Sequence, residues 1–188
     1  MQSLTIQCLC KQCPACGYTV AKLVFDAGVK PLATIAWAET AVEAKTVQAF
    51  KQEYIQCLNC AHVWNHLFDW EHVPYGNKPN KMYNNGSLWK EHIEYLKEWL
   101  SDRIQINPTV VDIGCGDGSF LICMAAQYES KGKFLGFDPS GDVDPKQKAI
   151  NFNRSLFHPL EDTAKYKPDL IVMRHVIEHL TAPSSFLH

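Results

Sequence analysis

The sequence lacks any long hydrophobic run. No apolar stretch of the 188-residue chain approaches the roughly 18 residues that a membrane-spanning helix needs. The N-terminus, Met1 to Cys8, also lacks the basic start and apolar core of a signal peptide. We therefore predict a cytoplasmic protein without a membrane-embedded segment.

The sequence also lacks an excess of charge of one sign. The formal net charge is −2, and residues 1–75 contain few Lys and no Arg. A protein that binds nucleic acid without sequence preference needs a positive field, and none is suggested here, although a local basic patch is compatible with the composition. With 46% hydrophobic and 20% charged residues, the composition is that of an ordinary globular chain.

Cysteine, in contrast, is abundant, with eight residues. A reducing compartment argues against disulfides, and two Cys-x-x-Cys pairs favour metal binding. Cys13, Cys16, Cys57 and Cys60 predict a tetrahedral four-thiolate zinc site of the structural kind. The neighbouring Cys8 and Cys10 are alternatives, as is His62, and an iron–sulfur cluster is a weaker alternative. The long sequence separation between the two pairs is compatible with a single site, because the entropic cost of closing a loop grows only logarithmically with its length.

The chain divides into three segments. Residues 1–75 form the predicted zinc module, with a helix predicted over 36–50 and a short strand over 53–57. Residues 76–105 form a linker followed by an amphipathic helix, for which Ser87 is the expected cap. The apolar positions of that helix recur at helical spacing: Leu88, Trp89, His92, Ile93, Leu96, Trp99 and Leu100.

Residues 106–188 alternate between strand and helix patterns. Strands are predicted at 109–113, 133–137, 150–154 and 169–173, with a helix over 119–128. This alternation is typical of an α/β fold, a Rossmann-like doubly wound parallel sheet, here incomplete with about four strands. The last strand is apolar throughout, which predicts cover on both faces.

A glycine loop joins the first strand of this segment to its helix. Gly114, Gly116 and Gly118, with Cys115 and Asp117 between them, allow a sharp turn and a close approach of a ligand to the backbone. The helix N-terminus that follows can receive a carboxylate. Asp112, just before the loop, can hold an ammonium group. The dinucleotide fingerprint fails because Ser119 stands at its third glycine, and the phosphate-loop pattern fails because no Lys-Ser/Thr follows.

The second strand ends in Asp138 and Pro139, and an acidic residue there can accept both hydroxyls of a ribose. Asp112 to Gly118 together with Phe137-Asp-Pro139 resembles the first two motifs of class I S-adenosylmethionine (SAM) dependent methyltransferases, over about residues 105–188. The resemblance implies SAM as cofactor.

The order of the segments adds a second resemblance. A four-cysteine module, a tyrosine-bearing loop, a helix and a SAM domain resembles the sugar C-methyltransferases that carry an N-terminal zinc module. This implies a small-molecule methyl acceptor, such as a nucleotide-linked sugar, with Tyr83 near the transferred methyl group. The catalytic base proposed for that family lies in a later Glu-His motif, which has no counterpart in these residues.

The segment after the fourth strand supplies the remaining candidates. Ligands of open α/β sheets lie beyond the carboxyl ends of the strands, at the switch point between the first and fourth strands. Arg174 and His175 are therefore predicted to lie at the cofactor, and His175, Glu178 and His179 are candidates for acid/base work. Each also has a simpler interpretation: His175 as a cover over the ligand, Glu178 as a brace for the glycine loop, and His179 as a packed helix residue. A metal-dependent mechanism, in which Glu178 and His179 bind a magnesium ion, is a further alternative, but the sequence offers no additional ligands for that ion.

Two other functions stay open at this point. In the first, the two Cys-x-x-Cys pairs recognise RNA and the SAM domain methylates a base, for which the region around the pairs would need to be basic. In the second, the chain binds SAM without catalysing methyl transfer. The family's sheet has more strands than the 188 residues supply, so we expect a partial chain. We also expect the strand over 169–173 to lie at an open edge until a partner or a further C-terminal segment completes the sheet.

Overall fold

The chain is described by a computed structural model over residues 8–32, 38–73 and 86–187. Its contacts divide it into two compact units, Met1–Pro74 with Leu180–His188, and Tyr75–His179. Tyr83 and most of the predicted linker lie outside the described residues. No helix in the described part of the chain is long and apolar enough to cross a membrane.

The first unit contains a four-stranded antiparallel sheet. Each strand pairs with the next along the chain, so that the order in space equals the order in sequence. Its strands are β1 (Cys8–Cys10), β2 (Val20–Pro31), β3 (Ala49–Cys57) and β4 (Val63–Asn65). A 3-10 turn, Trp70–His72, follows the sheet, and the helix Pro183–Leu187 also belongs to this unit.

The long hairpin of β2 and β3 differs from our prediction. A helix was expected over 36–50, but the described helix α1 covers only Ala41–Thr46, and β3 begins at Ala49. Thr40 caps α1 by accepting from the backbone N–H of Glu43 at 3.1 Å. Beyond the helix, residues 49 and 50 pair with residues 31 and 30 of β2. Cross-strand pairing therefore overrides the helix propensity of this stretch, and β2 itself was not predicted.

The second unit is an alternating α/β structure. It begins with a helix and continues through strands and helices in turn. In chain order these are α2 (Ser87–Ser101), β5 (Thr109–Ile113), α3 (Ser119–Gln127), β6 (Lys133–Phe137), β7 (Asn151–Asn153), α4 (Pro159–Tyr166) and β8 (Leu170–Met173), with a 3-10 turn at Ile177–His179.

All four strands of this unit run parallel, in the order β7-β6-β5-β8. The predicted fold class, an incomplete Rossmann-like doubly wound sheet with a small N-terminal module, is thereby confirmed. The strand order reverses between β5 and β8, so the switch point lies where the sequence predicted it. Asp169 ties the start of both strands together, because its carboxylate accepts from the Thr109 N–H at 2.8 Å.

The core of the second unit lies between the sheet and its helices. Val110 of β5, Phe134 of β6 and Leu121 and Met124 of α3 are buried almost completely. Three α2 residues, Ile93, Leu96 and Leu100, pack against this cluster. Elsewhere in the unit, Phe137 meets Phe157 and Tyr166 edge to face, with ring centroids 5.1 and 5.8 Å apart.

Three predictions about this unit are corrected. Ser87 is the first residue of α2, and the cap is Gly86, which has no side chain to donate or accept. The packed stripe of α2 is narrower than expected, because Leu88 and Trp99 are exposed. Strand β8 is not covered on both faces, since Ile171 is 43% exposed. Among the described strands β8 pairs only with β5, so it forms an edge.

Candidate functional site

The four predicted metal ligands come together in the first unit. Cys13 and Cys16 lie in the loop between β1 and β2, and Cys57 and Cys60 lie at the turn between β3 and β4. Because Ala21 of β2 pairs with Cys57 of β3, these two turns lie at the same end of the sheet. The long antiparallel hairpin thus brings together two pairs that are far apart in sequence.

The sulfur atoms have the spacing of a tetrahedral site. Cys13 and Cys60 are 3.7 Å apart, as are Cys16 and Cys57, and all four sulfurs lie within 4.8 Å of one another. A tetrahedron with zinc–sulfur bonds of about 2.3 Å has edges of about 3.8 Å. Two of the sulfur–sulfur distances already match this edge length, and small side-chain movements would bring the remaining distances to the same value. The four thiols are therefore compatible with zinc.

The surroundings of the sulfurs shift the pKa values of two of the four thiols in opposite directions. The backbone N–H of Tyr18 and the side-chain amide of Asn59 lower the pKa of Cys16 from 9.0 to about 6. The backbone N–H of His62 also lowers the pKa of Cys60, but hydrogen bonds with the other thiols together with desolvation outweigh it and raise that pKa to about 12. Four neighbouring thiols cannot all lose their protons without a cation among them, and a metal ion would supply that charge.

The glycine loop of the second unit uses each of its glycines differently. All three have positive φ, at 69° for Gly114, 58° for Gly116 and 74° for Gly118. A Cβ on Gly114 would meet Val176 at 2.3 Å, and one on Gly118 would meet Ile150 at 2.7 Å. A Cβ on Gly116 would meet nothing within 4 Å. Two glycines therefore admit neighbouring side chains, and the middle one leaves open space beside the backbone.

Asp138 braces this loop from the end of β6. Its carboxylate accepts from the Gly116 N–H at 2.9 Å, and from both the N–H and the hydroxyl of Ser140, at 2.8 and 3.1 Å. Pro139 between them is partly buried. The structure thus brings Asp138 to the glycine loop as the sequence predicted, and one carboxylate oxygen keeps a free acceptor position.

Cys115 and Asp117 of the loop point elsewhere. The Cys115 side chain is 5% exposed and lies in the core, where burial raises the pKa of its thiol. Only its backbone can therefore face a ligand. Asp117 is exposed, and its carboxylate accepts from the Ser119 N–H at 3.0 Å. It closes the first turn of α3, since the capping residue Gly118 has no side chain to do so.

Asp112 at the end of β5 carries the strongest electrostatic signal. It is completely buried, and neither of its carboxylate oxygens has a hydrogen-bond partner among the described residues. The nearest cation is Arg174, whose Nη2 lies 3.5 Å from Oδ2. Burial raises the pKa of Asp112 from 3.8 to about 6, although Arg174 opposes the shift. A buried carboxylate without donors is poised for a cationic partner.

The acid/base candidates follow β8 closely. His175 adopts a left-handed backbone with φ of 55°, and its Nδ1 lies 3.8 Å from Oε1 of Glu178. His179 ends the 3-10 turn, with its N–H donating to the carbonyl of Val176 at 2.9 Å. The three side chains are exposed. The structure therefore brings His175 and Glu178 together, whereas Tyr83 lies outside the described residues.

Several residues that support these sites were not predicted. Asn59 donates to the sulfurs of Cys57, through its backbone, and of Cys16, through its side chain. Ser140 holds Asp138, Phe120 lies under the guanidinium of Arg174, and Val176 fills the space above Gly114. The hydroxyl after Asp138 is the one signal visible in the sequence, because Asp-x-Ser favours a local turn.

Comparison with known proteins agrees with this geometry. The family model described as "Methyltransferase domain" matches residues 84–188. No curated protein matches the chain significantly. The matched range contains the glycine loop, Asp138 and the segment after β8, and it covers more than half of the chain. The chain therefore belongs to the methyltransferase-domain family.

Proposed function

We propose that the protein transfers a methyl group from SAM to a small-molecule acceptor, such as a nucleotide-linked sugar. The observation that carries this proposal is the glycine loop with its two acids. Asp112, which precedes the loop, is fully buried and has no hydrogen-bond partner among the described residues, and Asp138 accepts from the N–H of the open residue Gly116. The family match supports methyltransferase activity in general.

The residues at the loop fit the chemical groups of SAM. Asp112 can take the ammonium group of the methionine part, because its two oxygens lack donors. Gly116 leaves room for SAM beside the backbone. The remaining acceptor position of Asp138 suits a ribose hydroxyl. Bound SAM would supply a methyl group on a positively charged sulfur, ready for in-line attack.

The chain's own residues would position the acceptor and remove its proton. His175 and Glu178 lie together and are exposed, so His175 can take a proton while Glu178 stabilises the resulting imidazolium. His179, on the same turn, is the alternative base. Tyr83 stays a candidate neighbour of the methyl group. Most of the rate enhancement would come from positioning, as expected for a transfer between two bound molecules.

The thiol cluster has a structural role in this proposal. Cys13, Cys16, Cys57 and Cys60 would bind one zinc ion and leave it no open coordination position, so the metal would not take part in the reaction. Free thiols at these sites fit a reducing compartment such as the cytoplasm. RNA as acceptor is less well supported, because residues 1–75 contain few Lys and no Arg, and one of these lysines, Lys51, is paired with Asp26 and Glu53.

Calorimetry with SAM and with its product S-adenosylhomocysteine tests the donor. We expect micromolar binding to the parent protein, and a loss of at least about tenfold in the Asp138→Asn variant, because a charge-assisted hydrogen bond is replaced by a neutral one. Asp144→Asn is the matched control, since Asp144 is exposed and its carboxylate accepts only from the backbone N–H of Lys146 among the described contacts. Unchanged binding in Asp138→Asn, or none in the parent, would contradict the proposal.

A further inference from the structure

The side chain of Arg174 is held at the end of the parallel sheet by a stacking contact. Arg174 comes directly after β8, and its guanidinium carbon lies 4.0 Å from the ring centre of Phe120 in the first turn of α3. Stacking on an aromatic face fixes the plane of a guanidinium and leaves its N–H groups free for an anion. The arginine is therefore oriented before any ligand arrives.

Arg174 and its neighbour Asp112 do not satisfy each other. Their closest approach, Nη2 to Oδ2, is 3.5 Å, whereas paired guanidinium and carboxylate groups usually lie about 2.7 to 2.9 Å apart. Nε of Arg174 and both carboxylate oxygens of Asp112 are buried and have no hydrogen-bond partner among the described residues. Buried polar atoms are rarely left in this state, because each costs desolvation energy. The unmet needs are an anion beside Arg174 and a cationic donor beside Asp112.

One ligand feature meets both needs. The α-amino acid group carries an ammonium and a carboxylate on the same carbon atom, and it matches a carboxylate and a guanidinium whose closest atoms are 3.5 Å apart. We propose that Arg174 binds the α-carboxylate of the methionine part of SAM while Asp112 binds its α-ammonium group. This inference rests on the proposed function, and it assigns the recognition of the amino acid end to a pair of side chains.

The alternative seat for the carboxylate is the N-terminus of α3, and it is partly occupied. The Ser119 N–H already donates to the Asp117 carboxylate at 3.0 Å, and the Gly118 N–H donates to the carbonyl of Cys115 at 2.9 Å. The Gly116 N–H is likewise taken by Asp138. These backbone donors of the loop are thus committed within the chain, while Nε of Arg174 has no partner among the described residues.

A ligand pair isolates this contact. SAM and its decarboxylated analogue differ only in the α-carboxylate, and both keep the amine and the sulfonium. By calorimetry on the full chain, we expect the parent to bind SAM about thirtyfold more tightly than the analogue. Arg174→Met should lose about thirtyfold for SAM and less than about threefold for the analogue, and Arg174→Lys should recover part of the loss.

Arg103→Met is the matched control. Arg103 also stacks on an aromatic ring, at 3.9 Å from Trp99, but it follows α2 and is exposed. We expect it to bind both ligands like the parent. Thermal unfolding of each variant checks that it is folded, and the comparison of the two ligands on the parent needs no variant.

The outcomes separate the two proposals. Equal affinity of the parent for SAM and the analogue overturns the role of Arg174, and leaves SAM as the donor. An equal loss for both ligands in Arg174→Met also overturns it, because the arginine would then act only by neutralising Asp112. If neither ligand binds the parent, the proposed donor is wrong, and this inference falls with it.

Discussion

The two units of the chain solve the problem of stability in different ways. In the described part of the first unit, four hydrophobic residues are buried, Cys13, Ala21, Ile55 and Cys57, and two of them are proposed metal ligands. Large apolar side chains such as Phe25 and Val29 stay exposed. The second unit buries a continuous core between its sheet and helices. A small sheet without such a core needs a further stabilising element such as a metal ion, whereas the core of the larger unit can support a loop that costs free energy.

The two candidate sites also differ in how they affect the stability of the unit that contains them. In the first unit the candidate site is part of the structural support, because the thiols join two hairpin turns. In the second unit the candidate site opposes stability: three positive-φ glycines and a buried, unpartnered carboxylate all cost free energy. Binding sites of this kind depend on a core that holds them in shape.

Removing the metal should have the largest effect, because it should unfold one unit and leave the other folded. Zinc binding contributes on the order of 10 kcal/mol of apparent free energy to small zinc modules, so chelation should unfold β2 and β3 and leave the parallel sheet intact. Cys16→Ser should have the same effect, with Cys10→Ser as control, because Cys10 lies outside the cluster. Amide NMR spectra with elemental analysis measure both. A chelated protein that keeps its hairpin resonances would show that the first unit does not need a metal.

Alanine at the loop glycines should separate folding from binding. Gly114→Ala should destabilise the second unit by about 3 to 4 kcal/mol, since the new Cβ would meet Val176 at 2.3 Å in a left-handed backbone. Gly116→Ala should cost only about 1 kcal/mol, because its space is open, yet it should weaken SAM binding at least about tenfold. Urea unfolding and calorimetry are the measurements.

Gly28→Ala of the first unit is the matched control for backbone strain. Gly28 has a φ of 69°, as Gly114 has, and a Cβ there would meet nothing within 4 Å. It should cost about 1 kcal/mol and leave SAM binding unchanged. If Gly116→Ala binds SAM like the parent, the donor does not lie beside that residue.

Asp112→Asn should change stability less than Gly114→Ala does, and with the opposite sign. The native carboxyl keeps its proton up to a pKa of about 6, and the unfolded one releases it near 3.8. Stability should therefore fall as the pH rises from about 4 to 6, and at pH 7 the charged Asp112 costs about 2 to 3 kcal/mol. The asparagine variant should be more stable by up to that amount above pH 6, and should bind SAM more weakly.

In the part of the chain that the structure describes, the charged or titratable groups that face Asp112 are Arg174, Asp138 and Cys115. Urea unfolding between pH 4 and 8 tests the prediction, with Asp144→Asn as the control that should leave the pH dependence unchanged. If the Asp112→Asn variant has the pH dependence of the parent, the carboxyl of Asp112 does not titrate in this range.

Much of the parallel unit could be predicted from local patterns. Strands β5 and β6 have the predicted bounds, and α3 begins at the predicted Ser119, because each forms where an apolar run meets a turn signal. The antiparallel unit was harder. The stretch over 36–50 has high helix propensity, but Ala49 and Phe50 lie in β3 because a strand earlier in the chain supplies hydrogen-bond partners.

The sequence alone was enough to identify the main residues of both candidate sites. The spacing of the four cysteines predicted one thiol cluster, and the glycines with Asp112 and Asp138 predicted one loop at a switch point, because such local motifs need no knowledge of distant partners. Tertiary structure alone decided that Asp112 is buried without a donor, that Arg174 rests on Phe120 beside it, and that Gly114 admits Val176 while Gly116 stays open. These properties depend on which elements pack together, and packing is not local in sequence.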